Sequence, residues 1–162
     1  MKIRLALALV FLCVLAPSTP ALELDEPTKD WSFQIGGGSS FLPGFEFTQV
    51  TRLGYRLPWD DQRIEAILDI TSGPFIVFGG FDQITLAGQY HFSPHADLRP
   101  FLSAGLSYLP LRHGLWALQV GAGADLMWSA NFGWSPQLRV QIPPSDPNLT
   151  IINTDIALKW HF

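Results

Sequence analysis

Asp155-Ile156-Ala157-Leu158-Lys159-Trp160-His161-Phe162 closes the sequence, and its alternation decides the fold. Large apolar side chains stand at Ile156, Leu158, Trp160 and Phe162, with Asp155, Ala157, Lys159 and His161 between them. Successive side chains of a strand point to opposite faces, so this stretch reads as a β-strand with one apolar and one polar face.

The same period recurs outward from this strand, back to Trp31, between clusters of Gly, Pro, Ser, Asn and Asp. That is the pattern of consecutive antiparallel strands, and eight are expected. Trp31, Phe33 and Ile35 mark the first, which runs into Gly36-Gly37-Gly38. Phe45, Phe47, Leu53, Tyr55 and Leu57 mark the second; Ile64, Ala66, Leu68 and Ile70 the third. Ile84, Leu86, Gly88, Tyr90 and Phe92 mark the fourth, and the fifth runs from Leu98 to Leu109. The sixth alternates from Trp116 to Trp128, and the seventh carries Phe132, Trp134, Leu138, Val140 and Ile142, with a bend or bulge expected at Pro136. The eighth begins near Thr150. Strands of about ten residues, eight in number, make the smallest transmembrane barrel.

Of the 162 residues, the first 21 read as a secretory signal peptide. Lys2 and Arg4 precede an apolar run, Leu5 to Leu15, that is too short to span a bilayer, and Thr19-Pro20-Ala21 supplies the cleavage site. Residues 22–30 read as an acidic periplasmic lead-in and 31–162 as the barrel domain. The one cysteine, Cys13, lies inside the signal, so the mature chain has no thiol chemistry. Without the signal, 8 basic residues face 14 acidic ones, a net charge of −6, which argues against nucleic-acid binding. Charged residues are 15% of the sequence against roughly 25% in soluble domains, and no mature segment is apolar enough for a spanning helix.

Alternation alone does not say which face is outside: a soluble lipocalin-like barrel turns its apolar face inward, a membrane barrel outward. Two patterns favour the second. The polar face carries Glu46, Glu65, Asp69, Asp125 and Asp155 against Arg52, Arg56, Arg63, Arg139 and Lys159, a balance suited to a narrow lumen where charges must pair. An even strand number also places Trp31, Trp59, Trp128, Trp134 and Trp160 near the rim that holds the termini, with Tyr55, Tyr90 and Phe162. That reads as an interfacial aromatic girdle, with Trp116 at the opposite rim. The connections at 58–62, 93–97 and 129–131 are expected as tight periplasmic turns, those at 39–44, 71–80, 109–114 and 143–148 as outer loops. The loop Gly73-Pro74-Phe75-Ile76-Val77-Phe78-Gly79-Gly80 breaks the alternation, as an extension of its hairpin or a hydrophobic contact.

The closing strand, with Phe162 in the apolar register, is similar to the carboxy-terminal signal that hands bacterial outer-membrane barrels to their assembly machinery. Leu98-Arg99-Pro100-Phe101-Leu102-Ser103-Ala104-Gly105-Leu106-Ser107-Tyr108 resembles a strand motif of the small barrels grouped around the OmpA transmembrane domain, OmpX and OmpW. Val120-Gly121-Ala122-Gly123-Ala124-Asp125 with the Ser129-Ala130-Asn131 turn adds to it. The resemblance implies a Gram-negative outer-membrane location, outer-membrane lipid and the assembly machinery as partners, and a monomer. It implies an architecture, not an activity; the long polar outer loops of OmpX-like members are missing.

Some barrels of this size are enzymes. His91-Phe92-Ser93 imitates the start of the His-x-Ser-Asn motif of lipid A deacylases, but Pro94 replaces the Asn and no Glu follows Glu65. A palmitoyltransferase-like grouping has only His113 and Ser107 to draw on. His91, His95 and Asp97 have metal-ligand residue types at a turn, where exposed histidines are commonplace. Asn148-Leu149-Thr150 fits an N-glycosylation pattern that matters only in a eukaryotic secretory pathway. Arg52, Arg56 and Arg139 could line a pore, but eight strands leave a lumen that side chains fill. The sequence therefore predicts an all-β, eight-stranded, up-and-down transmembrane barrel. It reads as non-enzymatic, with no cofactor or metal and a structural or surface-interaction role. A lipid A-modifying enzyme, a small-molecule channel and a soluble ligand-binding barrel are the alternatives.

Overall fold

A computed structural model describes residues 30–41, 45–58, 63–73, 82–110 and 114–162. The expected signal peptide, residues 22–29 of the lead-in, Trp59, His113 and the apolar loop from Pro74 to Gly80 lie outside the described residues.

Eight strands follow one another: β1 Trp31–Phe41, β2 Phe45–Arg56, β3 Ile64–Ser72, β4 Gln83–His91, β5 Leu98–Leu109, β6 Leu115–Ser129, β7 Phe132–Ile142 and β8 Ile151–His161. Each pairs antiparallel with the next, and β8 pairs with β1, so the sheet closes with no free edge. The closing strand runs from Ser32 opposite His161 to Phe41 opposite Ile152. A short 3₁₀ turn, Pro147–Leu149, precedes β8; the Asp146 side chain accepts from the Asn148 N–H at 3.2 Å and opens it.

Burial is inverted relative to a water-soluble protein. The largest fully buried side chains are headed by Arg52, Arg56, Arg99 and Arg139, while Leu86 (67% exposed), Phe47 (64%) and Trp116 (60%) stand on the outside. Every strand shows the cause. On β8, Asn153, Asp155, Ala157, Lys159 and His161 turn inward, and Ile156 and Trp160 outward. Alternate residues take opposite faces, so the polar set of each strand fills a lumen that eight strands leave only wide enough for side chains.

The outer face carries aromatic clusters at both ends. At the end with the termini, Trp128 packs on Phe132 and Trp134, Phe132 on Trp160, Trp160 on Phe33, Trp31 on Tyr55, and Tyr90 on Phe92. At the other end Phe41, Phe45 and Phe47 meet edge to face in series and Tyr108 meets Trp116. Between them lie Leu53, Leu68, Leu86, Leu102, Leu106, Leu118 and Val120, all exposed.

Of the bend or bulge expected at Pro136, the ladder to β6 is interrupted there but carries no bulge. Pairing of β7 with β6 skips Ser135 and Pro136 but resumes unshifted, from Leu126 opposite Trp134 to Gly123 opposite Gln137. The register shift falls between Met127 and Ser129, beside the tight turn into β7, where short hairpin connections commonly carry a bulge. Two inward glycines make room for the filling. A Cβ at Gly54 would stand 2.2 Å from Glu65 Oε1 and 2.4 Å from Ser32 Oγ, and one at Gly123 would stand 2.6 Å from the Phe101 ring.

Candidate functional site

The chemistry-bearing side chains converge in the lumen, in three levels. The middle level is a ring of four alternating charges. Arg52 donates through Nε to Asp69 Oδ2 at 2.5 Å and through Nη2 to Asp155 Oδ1 at 2.6 Å. Arg139 donates to the same two residues, to Asp69 Oδ2 at 2.7 Å and Asp155 Oδ2 at 2.9 Å. The Thr71 hydroxyl adds a bond to Asp69 Oδ1, and Arg52 Nη1 reaches Gln34 Oε1 at 3.3 Å. Charges taken out of water need this degree of pairing, because an isolated buried ion costs several kcal/mol. Arg52 stands opposite Asp69 across β2 and β3, so the ladder itself sets part of the ring.

Towards the end with the termini, Lys159 Nζ lies 2.8 Å from both Glu65 Oε2 and Asp125 Oδ2. His91 approaches the same carboxylates, Nε2 at 3.1 Å from Glu65 and Nδ1 at 3.8 Å from Asp125. Ser32 donates to Glu65 Oε1, and Ser135 to Asp125 Oδ1 at 2.7 Å. Glu65, His91 and Asp125 have the residue types and closeness of a metal centre, their ligand atoms all within 4.8 Å of one another. The Lys159 ammonium, however, already takes the position between the two carboxylates that a cation would need. Lower still, Arg56 Nη2 meets His161 Nε2 at 3.2 Å, and Arg99 Nε donates to the Ala96 carbonyl at 2.8 Å.

Towards the other end the filling is polar but uncharged. Gln83 donates to Thr85 at 2.7 Å, Thr85 and Ser107 share a bond of 2.8 Å, and Gln141 reaches Ser107 and Gln119 at 3.2 and 3.3 Å.

Of the charged residues expected on the polar face, the structure brings Arg52, Asp69, Arg139 and Asp155 into one set of ion pairs and Glu65, Asp125 and Lys159 into a second. Arg56 is buried but faces His161. Glu46 and Arg63 do not join. Glu46 is exposed at the mouth, and Arg63 is half-buried at the opposite rim, where it donates to the Tyr90 hydroxyl at 3.4 Å. The expected balance of five acids and five bases changes accordingly. Among the described residues, the buried set is Glu65, Asp69, Asp125 and Asp155 against Arg52, Arg56, Arg99, Arg139 and Lys159. Arg99, His91 as a partner of Glu65, and His161 were not picked out by charge balance; strand parity was the signal that pointed at them.

The hydrolase-like His91-Phe92-Ser93 comes apart in space. His91 is buried in the lumen, whereas Ser93 is exposed in the turn. Glu65 does come beside His91, but the hydroxyl nearby, that of Ser32, bonds to the acid rather than to the imidazole. A nucleophile needs its base in hydrogen-bond reach, and this arrangement supplies none. His95 and Asp97 stay in the turn, and His91 turns away from them to Glu65 and Asp125.

The chain is thus a closed eight-stranded antiparallel barrel with large apolar side chains outside and ion pairs inside. The fold is that of the small outer-membrane β-barrels. The N-terminal β-barrel domain of Pseudomonas aeruginosa OprF is similar at a TM-score of 0.62 and 18% identity, over 83% of this chain and 98% of that one. Neisserial surface protein A, NspA, is similar at 0.58 and 14%, over 82% and 97%. A transmembrane β-barrel designed de novo is similar at 0.58 and 15%, over 85% and 99%. No protein-family model matches the sequence, and no curated protein matches it. The likeness is one of architecture, which a designed chain shares.

Proposed function

We propose that this chain is a non-enzymatic, monomeric outer-membrane protein of a Gram-negative envelope, held by its apolar exterior, with a lumen plugged by its own side chains. The observation that carries the reading is the inversion of burial: Arg52, Arg139 and Lys159 at 1% exposure or less inside, Leu86, Trp116 and Phe47 above 59% outside. In water such an exterior would be an aggregation surface; in lipid it is what holds the barrel. The aromatic clusters at the two ends suit the two interfaces, where amphipathic rings collect. The end with the termini then faces the periplasm, and the ends of β1, β3, β5 and β7 face outside.

The role that follows is mechanical and interfacial rather than catalytic. The ring of Arg52, Asp69, Arg139 and Asp155 crosses the lumen from β2, β3, β7 and β8, so an ion would have to break paired charges to pass. Ile156, Leu158, Trp160 and Phe162 form the outward face of the closing strand and would be read by the assembly machinery. Reconstitution into planar bilayers tests the plug. Absence of steady conductance supports it, and discrete ohmic channels would favour the conduit reading. Deleting Phe162 tests the assembly signal: folded protein in the outer membrane should fall severalfold while refolding of the purified chain in detergent is unchanged.

A further inference from the structure

The mouth of the lumen, at the ends of β1, β3, β5 and β7, holds a cavity of about 240 Å³ that the plug does not use. Ser40, Glu46, Thr48, Thr71, Asp82, Gln83 and Asn153 give it a polar wall, and Leu109 and Ile151 an apolar one. Gln83 joins this wall to the amide and hydroxyl chain of Thr85, Ser107 and Gln141 in the lumen.

Three of these residues stand in a row across adjacent strands. Ser40 of β1 is opposite Glu46 of β2 on one side and opposite Asn153 of β8 on the other. With strands about 4.8 Å apart, the backbones of Glu46 and Asn153 are about 10 Å apart, with Ser40 midway and all three on the inward register. Glu46 carries an exposed carboxylate that makes no ion pair among the described residues. Asn153 is 3% exposed, and its Nδ2 has no acceptor among the described residues. A buried amide donor without a partner is unfavourable, so the site has room for an oxygen there. The apolar side is a packed patch of Leu109, Ala117 and Ile151, with Leu115 against it. Ile151 is the inward apolar residue at the head of β8, a strand whose inward positions Asn153, Asp155, Lys159 and His161 are otherwise polar save Ala157.

We infer that this cavity binds a short-chain amino alcohol: an ammonium on Glu46, a few methylenes on Leu109 and Ile151, and a hydroxyl oxygen accepting from Asn153 Nδ2. Each part answers one feature of the wall. The carboxylate selects a cation, since none of the described residues lining the cavity is basic. The volume of about 240 Å³ is ample for a small molecule of about seven non-hydrogen atoms. Five methylenes between nitrogen and oxygen span most of the distance between the two polar side chains once those side chains reach inward. The inference concerns the mouth of the barrel alone and stands whichever way the barrel is oriented in a membrane.

The probe is 5-amino-1-pentanol, titrated by calorimetry into the full chain folded in detergent, with 1,5-pentanediol and pentylamine as companions. Binding of the amino alcohol is expected to be at least tenfold tighter than that of the diol and at least threefold tighter than that of pentylamine. Glu46→Gln, at an exposed position where folding is not at stake, should weaken the amino alcohol at least tenfold and leave the diol unchanged. Asn153→Ala should remove the preference for the amino alcohol over pentylamine; its fold is checked by the gel shift between boiled and unboiled samples. No saturable binding at 20 mM overturns the inference. So does equal binding of diol and amino alcohol, or a Glu46→Gln variant that binds as the parent does.

Discussion

Replacing Arg139 with methionine removes two of the four bonds that close the central ring. Its guanidinium donates to Asp69 at 2.7 Å and to Asp155 at 2.9 Å, and all three side chains are at most 4% exposed. Afterwards Arg52 alone faces two carboxylates. Removing one partner from a buried set of ion pairs typically costs about 3–5 kcal/mol, because the excess charge left behind has no water to balance it, and here two carboxylates must share one guanidinium. At about 1.4 kcal/mol per tenfold, the folding equilibrium constant should drop between a hundredfold and a few thousandfold. The double variant Arg139→Met with Asp155→Asn leaves one pair, Arg52 with Asp69, and no net charge in the ring. It should therefore be less destabilised than the two single changes added together, by about 0.5–3 kcal/mol of coupling. Urea unfolding in lipid vesicles, followed by tryptophan emission and by gel mobility, measures all four corners of the cycle. A single variant within about 0.5 kcal/mol of the parent, or strict additivity in the double, would refute the claim that the ring is held by mutual pairing.

Three further outcomes are expected. Gly54→Ala places a methyl 2.2 Å from Glu65 Oε1 and should lower stability by about 1–3 kcal/mol in the same assay, since a filled interior has no slack. Lys159→Met removes the ammonium between Glu65 and Asp125 and should destabilise strongly; zinc should then raise its urea midpoint and leave the parent's unchanged, because Glu65, His91 and Asp125 can close on a cation. Leu86→Arg, halfway along β4 and 67% exposed, should cost about 2–4 kcal/mol in lipid if its site is near the bilayer midplane, whereas on a water-facing strand it would be nearly neutral.

Much of this was legible from period-two alternation, because a strand's faces are fixed by parity and the β8 pattern from Asp155 to Phe162 has no misplaced residue. Parity gives the face and not the height. Glu46 and Arg63 share the polar register with the ring residues but sit at opposite rims, too far along the barrel axis to reach the two buried sets of ion pairs. The four-membered ring could not be read from one dimension either: Asp69 and Arg139 are 70 residues apart and meet only because the barrel closes. Charge balance passed over His91 and His161, which are not counted as fixed charges, and the amide and hydroxyl level from Gln83 to Gln141, which carries none. At Pro136 a local breaker signal suggested a bend or bulge; pairing with β6 is interrupted there, yet the extra residue lies near Trp128, where the short turn into β7 imposes it.

The central claim is that the apolar face is outside, in lipid. Envelope fractionation, followed by electrophoresis of boiled and unboiled samples, tests it most directly, because a closed membrane barrel resists detergent until heated. The account predicts that the chain is found in the outer-membrane fraction and changes its apparent mass on boiling. A soluble periplasmic protein with a single, heat-independent mobility would contradict it.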